Sequence, residues 1–114
     1  NTPLAFMWPV GYSSRMNYYV VTTDVFNLWL ARIRDRQAAK LIAQRLDRLV
    51  AGNLGDVKPV GDGVSEMRIF AGPGYRLYFT IRNDELIILL CGGNKSSQSR
   101  DIARAKRILS ELEV

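Results

Sequence analysis

Histidine is absent from this 114-residue sequence, and cysteine occurs once, at Cys91. Without an imidazole the chain lacks the most common general base, and one thiol leaves no Cys/His cluster to bind zinc. A single cysteine also excludes an internal disulfide, which favours a reducing compartment. We therefore expect a cytoplasmic protein without metal or cofactor, whose chemistry depends on Arg, Lys, Tyr or carboxylate side chains.

Long hydrophobic runs are missing too. No stretch approaches the roughly 20 apolar residues of a membrane-spanning helix, so we expect no membrane partner. The composition is 47% hydrophobic and 24% charged, which is typical of a globular protein. Sixteen Lys and Arg oppose eleven Asp and Glu, and the resulting charge of +5 favours nucleic acid or an acidic protein as partner.

The first fifteen residues differ from the rest of the chain. They contain Pro3, Pro9 and Gly11, show no apolar period, and carry no charge before Arg15. Met16 directly precedes the first patterned segment. We expect residues 1–15 to be an N-terminal extension of non-native or read-through origin, and residues 16–114 to form a single domain.

The first half of that domain has the pattern of one strand followed by two helices. Residues 18–22 are β-branched and aromatic, which predicts a strand, and Asp24 is the expected N-cap of a helix over residues 25–34. Apolar residues recur at helical spacing there: Phe26, Trp29, Leu30 and Ile33. A second helix follows a tight joint at Asp35 and ends before Gly52, so we expect an αα-hairpin.

The second half changes to a period of two. Alternation predicts strands over residues 65–70 and 75–82, and residues 86–91 are apolar on both faces, as in a central strand covered on both sides. Only a short extended piece is expected over residues 57–60, and Gly92 and Gly93 are expected to open a loop before the last helix. The predicted fold is α+β in the order β-α-α-β-β-β-α, with a mostly antiparallel sheet.

Arg68, Arg76 and Tyr78 alternate with apolar residues, which places them on one face of adjacent strands, with Lys95 in the following loop. Arginine binds phosphate through paired hydrogen bonds, so this group could hold a phosphodiester. A solvated sheet face is an equally good interpretation of the same alternation. We expect the hairpin and the last helix to cover one face of the sheet and these residues to remain on the other.

Without histidine, RNA cleavage would rely on attack by the ribose 2′-hydroxyl on its own phosphate, aided by positioning and by positive charge. Tyr78 or Asp101 could transfer protons, although Asp101 equally suits the positive end of a helix dipole. The last helix carries a stripe of exposed cations with two interpretations, a nucleic-acid contact or an ordinary solvated face. The stripe consists of Arg100, Arg104 and Arg107.

Three blocks of sequence carry a family resemblance. The first covers residues 52–69, the second is Gly-Pro-Gly-Tyr-Arg-Leu-Tyr-Phe at 72–79, and the third is Leu-Leu-Cys-Gly-Gly-Asn-Lys-Ser-Ser-Gln at 89–98. Together they resemble the phage Gp49-like, HigB-type addiction module killer branch of the RelE/ParE toxin superfamily. The resemblance extends over about residues 18–112. It implies a RelE-like fold and the toxin component of a type II toxin–antitoxin system.

The resemblance further implies an activity and partners. Many relatives are ribosome-dependent mRNA interferases, so we expect a metal-independent endoribonuclease acting on mRNA in the ribosome. A cognate antitoxin with a helix-turn-helix domain is the expected partner, and operator DNA would be bound only through it. Two alternatives remain: a ParE-like inhibitor of DNA gyrase without nuclease activity, and an inactive toxin that acts only as an antitoxin-binding co-repressor.

The candidate catalytic residues are carried over by position in the matching blocks. Arg68, Arg76 and Lys95 match basic residues of the family, and Asp101 stands about where RelE has a C-terminal tyrosine. The histidine that some HigB toxins use is absent here. Together with Tyr78 these residues form the expected site. Arg76 is expected to matter most because a strand holds it, and as an exposed residue it should contribute little to stability.

Overall fold

The computed structural model describes residues 4–7 and 18–112, in which six strands and three α-helices form a mixed α+β fold. The strands are β1 (Leu4–Met7), β2 (Tyr19–Thr23), β3 (Val57–Gly61), β4 (Val64–Ile69), β5 (Tyr75–Arg82) and β6 (Leu86–Asn94). The helices are α1 (Asp24–Ala31), α2 (Arg36–Val50) and α3 (Gln98–Ser110), with a 3-10 turn at Lys95–Ser97. The α+β class is confirmed, and β5 has the predicted bounds.

The strands form one sheet in the order β1-β2-β6-β5-β4-β3, so β6 and β5 are central. All neighbouring pairs are antiparallel except β2 and β6, which are parallel. The segment predicted as a short extended piece is a full strand, β3, because it pairs with β4. Strand β1 pairs with β2. The proposed start at Met16 lies outside the described residues, and the extension at residues 1–15 stays a prediction.

Two caps set the helical hairpin. Thr23, rather than the predicted Asp24, is the N-cap of α1: its hydroxyl accepts from the Phe26 amide at 3.1 Å and donates to the Leu90 carbonyl at 2.7 Å. The carboxylate of Asp35 caps α2 by accepting from the backbone of Gln37 and Ala38. α1 ends at Ala31, three residues earlier than predicted, since its last turn is closed by the backbone of Arg32.

The helical hairpin packs on one face of the sheet. Its fully buried side chains, Phe26, Ile42, Leu46 and Leu49, meet the apolar side chains of β4, β5 and β6 in a single cluster. Burying each such side chain contributes about 1.5–3 kcal/mol. Trp29 packs beside Phe26 with ring centroids 5.7 Å apart, as its helical spacing predicted.

The last helix packs on the opposite face, so the prediction that all helices share one face is wrong. Ala105 and Ile108 of α3 meet Val64, Tyr78 and Ile88 in a second core cluster. The prediction failed because Tyr78 was counted with the polar residues, although its ring supplies much of the apolar surface that α3 covers. The double-sided burial predicted for the central strand is thereby confirmed.

Gly92 and Gly93 lie inside β6 and do not form the predicted loop. Tyr78 pairs with Cys91 whereas Phe79 pairs with Leu89, so β6 contains a bulge just before the glycines. A Cβ atom on Gly92 would overlap the ring of Trp29, and one on Gly93 would overlap the Asp101 carboxylate. Helices approach β6 closely from both faces, and this is why glycine occupies both positions.

Among the described residues, no helix is long and apolar enough to cross a membrane.

Candidate functional site

A cleft of about 240 Å³ opens at one end of the sheet, where the end of β4, the start of β5 and the turn after β6 come together. Three of the predicted site residues line it, namely Arg68, Arg76 and Lys95. The remaining lining residues are Ile69, Phe70, Gly74 and Tyr75. The cleft therefore has a cationic wall beside an aromatic one.

Register brings the two arginines together. Arg68 on β4 is the direct cross-strand partner of Arg76 on β5, so the predicted sharing of one face is confirmed. Arg68 is half-buried, with its Nη2 atom 3.2 Å from a carboxylate oxygen of Asp56. Its guanidinium carbon also lies 5.9 Å from the centroid of the Phe70 ring. These two contacts hold the side chain at the mouth of the cleft.

A buried carboxylate lies behind Arg76. Glu66 is fully buried, and its Oε2 atom accepts from the Tyr78 hydroxyl at 3.0 Å and from the Gln98 amide at 2.8 Å. The Nε atom of Arg76 lies 3.6 Å from the same oxygen, within ion-pair distance but beyond a hydrogen bond. The expectation that Arg76 is an exposed residue is wrong, since its side chain is only 11% exposed.

The geometry of this cluster directs Arg76 outward. Its Nε atom faces the buried carboxylate, while its Nη1 atom lies near Gly74 at the cleft. A buried carboxylate is costly unless a positive charge and hydrogen bonds compensate it, and Arg76, Tyr78 and Gln98 supply both. The arginine is thus fixed from behind while the far end of its guanidinium borders the cleft.

Tyr78 does not line the cleft. It is fully buried under α3, and burial raises the pKa of its hydroxyl well above the ordinary value of 10.0. The charge of Glu66 and the hydrogen bond to it raise the pKa further. A hydroxyl that is buried and donates to a carboxylate is poorly placed to exchange protons with a ligand in the cleft.

Asp101 is also separated from the cleft. It is buried in the first turn of α3, where its carboxylate accepts a short hydrogen bond from the Ser97 hydroxyl and lies against Gly93. Its backbone carbonyl accepts from the Cys91 thiol at 3.6 Å. These contacts fix the start of α3 on β6, in keeping with the alternative interpretation of Asp101 as a helix-terminal carboxylate.

Lys95 has the opposite environment. It is exposed in the 3-10 turn after β6, and its backbone amide donates to the Pro73 carbonyl at 3.4 Å. Within the described part of the chain its ammonium group has no ion-pair partner, whereas Arg68 and Arg76 each have one. Lys95 therefore contributes an uncompensated positive charge to the cleft. In the same part of the chain, no group of three or more His, Cys, Asp or Glu residues could hold a metal ion.

Sequence reasoning missed Glu66, Gln98 and Phe70. A signal for Glu66 existed, because it alternates with Arg68 on one face of β4 and lies opposite Tyr78 in the sheet register. Its burial could not be inferred while α3 was assigned to the other face. Gln98 and Phe70 gave no such signal, since their positions depend on how α3 and the 71–74 turn are placed in three dimensions.

Comparison with known proteins identifies the family. A family model described as "Phage derived protein Gp49-like" matches residues 29–111. The chain belongs to the Gp49-like family. This is a RelE/HigB-type toxin family, which confirms the resemblance seen in the sequence.

A relative of the Gp49-like chain occurs in Haemophilus influenzae (strain ATCC 51907 / DSM 11121 / KW20 / Rd). It is named an uncharacterized protein and is 45% identical over 97 residues, covering 85% of this chain and 98% of the relative. No solved structure matches the chain. Membership of a toxin family implies an antitoxin partner in general.

Proposed function

We propose that this Gp49-like protein is the toxin of a type II toxin–antitoxin system and acts as a ribosome-dependent mRNA interferase. The observation that carries the proposal is the cleft in which Arg68, Arg76 and Lys95 converge. Three cations around a volume of about 240 Å³ suit a phosphodiester better than a neutral ligand. The antitoxin, in this proposal, has a helix-turn-helix domain and connects the toxin to operator DNA.

The reaction proposed is transfer of the phosphodiester to the neighbouring ribose hydroxyl. The 2′-oxygen forms a bond to phosphorus, the bond between phosphorus and O5′ breaks, and the products are a 2′,3′-cyclic phosphate and a 5′-hydroxyl. The 2′-hydroxyl loses its proton to water or to a ribosomal group, and the leaving O5′ takes one up from the same surroundings. No metal ion takes part in these steps.

The protein's contribution is charge and alignment. Negative charge builds on the phosphate oxygens in the transition state, and fixed cations stabilise it, each typically by about 2–4 kcal/mol. Arg76 and Arg68 are held by Glu66 and Asp56, so little side-chain entropy is lost when the phosphate binds. Lys95 adds a charge that no carboxylate among the described residues offsets. Tyr78 and Asp101 act in this scheme as supports of the site and not as proton carriers.

The proposal is tested with purified protein and ribosomes programmed with a defined mRNA. We expect cleavage of the mRNA in the A-site codon, with a 2′,3′-cyclic phosphate end, and no cleavage of the same RNA free in solution. A parallel supercoiling assay with DNA gyrase tests the ParE-like alternative. Inhibition of gyrase with intact mRNA would overturn the proposal, and failure of both assays beside tight antitoxin binding would favour the co-repressor alternative.

A further inference from the structure

Among the residues that the structure describes, Phe70 is the most exposed large apolar side chain. It is 80% exposed, compared with 58% for Tyr19, 54% for Leu28 and 39% for Leu41. A single exposed apolar residue is ordinary on a protein surface. The position of Phe70 is not ordinary, because this residue lines the cationic cleft and none of the other three does.

The surroundings of Phe70 hold its position while leaving its ring accessible. It follows β4 directly, and the Ala71 amide donates to the Ile69 carbonyl at 2.9 Å, which turns the backbone tightly at this residue. The guanidinium carbon of Arg68 lies 5.9 Å from the ring centroid, within the range of a cation–π contact. Arg68 is in turn fixed by Asp56.

The cleft therefore joins two kinds of surface within one small volume. Its cations suit a phosphate, and the ring beside them suits a flat, polarisable group that is attached close to that phosphate. Single-stranded nucleic acid offers this pair of groups at every nucleotide, and proteins that bind it combine cationic grooves with aromatic stacking platforms. A free inorganic anion has no flat group that could stack on the ring.

We propose that Phe70 is a stacking platform for one nucleobase of the mRNA, next to the phosphate held by Arg68, Arg76 and Lys95. The inference rests on the proposed function and adds to it the group that positions the RNA along the cleft. Stacking is tolerant of base identity, so Phe70 sets the register of the RNA more than its sequence. Its loss should weaken binding of the substrate and leave the rate at saturation nearly unchanged.

The test uses ribosomes programmed with an mRNA whose 2′-hydroxyl at the scissile position is replaced by hydrogen. One base of the A-site codon is 2-aminopurine, whose fluorescence falls when it stacks on an aromatic ring. With the parent protein we expect quenching at one codon position. Phe70→Trp should keep it, whereas Phe70→Leu, which keeps an apolar side chain but has no ring, should lose it and bind about tenfold more weakly.

An abasic nucleotide at the quenched position separates stacking from indirect effects on Arg68. Phe70→Leu should then change binding less than twofold, because the base that Phe70 would contact is already missing. Tyr19→Leu removes another exposed aromatic residue outside the cleft and should change neither signal. All variants should melt within about 2 °C of the parent, since an exposed side chain contributes little to folding.

Three results overturn the stacking proposal: no quenching at any codon position with the parent protein, unchanged quenching with Phe70→Leu, or the same loss of binding on abasic and intact mRNA. None of them concerns cleavage itself. A parallel cleavage assay with unmodified mRNA tests the proposed function separately, since the parent protein should cut this mRNA whether or not Phe70 stacks on a base. A parent protein that leaves unmodified mRNA intact refutes the nuclease, and with it the stacking proposal.

Discussion

The two faces of the sheet are covered differently. The face under α1 and α2 carries a large apolar cluster, and neither of the two buried charged residues of the described chain, Glu66 and Asp101, lies in it. The face under α3 is divided: apolar packing continues along Tyr78, Ile88 and Ala105, but Glu66 and Asp101 are buried among them, and the cationic cleft lies beside these residues.

The two faces therefore have different roles: one mainly stabilises the fold, and the other also supports the proposed site. Packing of an apolar cluster stabilises the fold at no electrostatic cost, whereas a buried carboxylate such as Glu66 costs free energy that its partners only offset. On the α3 face Glu66 holds Arg76, the residue on which the proposed activity depends most.

The largest effect is expected from Arg76. Arg76→Ala removes a cation from the proposed phosphate site and should lower the cleavage rate about 30- to 1,000-fold, equivalent to about 2–4 kcal/mol. It also leaves Glu66 without its counter-charge, so the free energy of unfolding should fall, in contrast to what an exposed arginine would give. The measurements are single-turnover cleavage on programmed ribosomes and urea unfolding.

Arg76→Lys is the matched control for this variant. It keeps the charge beside Glu66 and should restore most of the stability, but only part of the rate, because an ammonium lacks the planar pair of donors. Full cleavage by a folded Arg76→Ala protein would remove Arg76 from the mechanism.

A smaller effect is expected from Glu66. Glu66→Gln keeps the shape and can still accept from Tyr78, but it loses the negative charge that faces Arg76. We expect about a tenfold fall in kcat with little change in KM, because alignment of Arg76 is lost and substrate contacts are not. Tyr78→Phe removes only the hydrogen bond to the buried carboxylate and should cost about 1.5–3 kcal/mol of stability with kcat nearly unchanged. Equal kcat values for Glu66→Gln and the parent would make Glu66 a purely structural residue.

The two glycines of β6 compare the faces directly. Gly92→Ala meets Trp29 of α1, and Gly93→Ala meets Asp101 of α3, so each should cost about 1–3 kcal/mol in urea unfolding. Trp29→Leu should relieve the first clash and not the second. Additive losses in the Gly92→Ala/Trp29→Leu double variant would contradict the close approach of α1 to β6.

The last effect vanishes at neutral pH, appears only under alkaline conditions, and again belongs to the α3 face. The pKa of the Cys91 thiol is raised from 9.0 to about 12, mainly by burial and to a smaller extent by the negative charge of Asp101. Above pH 9 the thiol releases its proton in the unfolded state but keeps it in the folded state. Deprotonation therefore lowers the free energy of the unfolded state, and the free energy of unfolding falls as the pH rises. The loss is about 1.4 kcal/mol per pH unit.

Cys91→Ala is the control for this titration. It should flatten the dependence of unfolding free energy on pH between about 9 and 11, apart from the part that the buried Tyr78 contributes in the same direction. An identical pH dependence in Cys91→Ala and the parent would show that the thiol is not buried as described.

Local patterns predicted much of this fold. Alternation of side chains in β4 and β5 correctly placed Arg68 and Arg76 on one face, and the apolar run of β6 predicted cover on both sides. Both features follow from the order of polar and apolar residues within a single strand. The cap residue of α1 was missed by one position, because Thr23 and Asp24 are both good caps and only the tertiary bond to Leu90 distinguishes them.

What could not be predicted depends on contacts between distant segments. α3 packs on the side of the sheet where Ala105 and Ile108 meet Tyr78 and Ile88, and it follows a strand whose two glycines resemble a loop in the sequence. Because the sequence analysis placed α3 on the other face, it predicted an exposed Tyr78 and gave no reason to expect a buried Glu66. Three of the five candidate site residues nevertheless meet at the cleft, because their positions follow from strand register and from the turn after β6.

Lys95 offers the most direct test of the central claim that the cleft is the site of chemistry, because it lines the cleft, is exposed and has no ion-pair partner in the described chain. The measurement is primer extension on cellular mRNA after induction, with translation active or blocked. The parent protein and Arg107→Ala, which removes an exposed cation of α3, should both produce translation-dependent cuts. Lys95→Ala should reduce those cuts at least tenfold at equal protein level. Undiminished cuts with Lys95→Ala, or growth arrest by the parent protein with intact mRNA, would contradict the account.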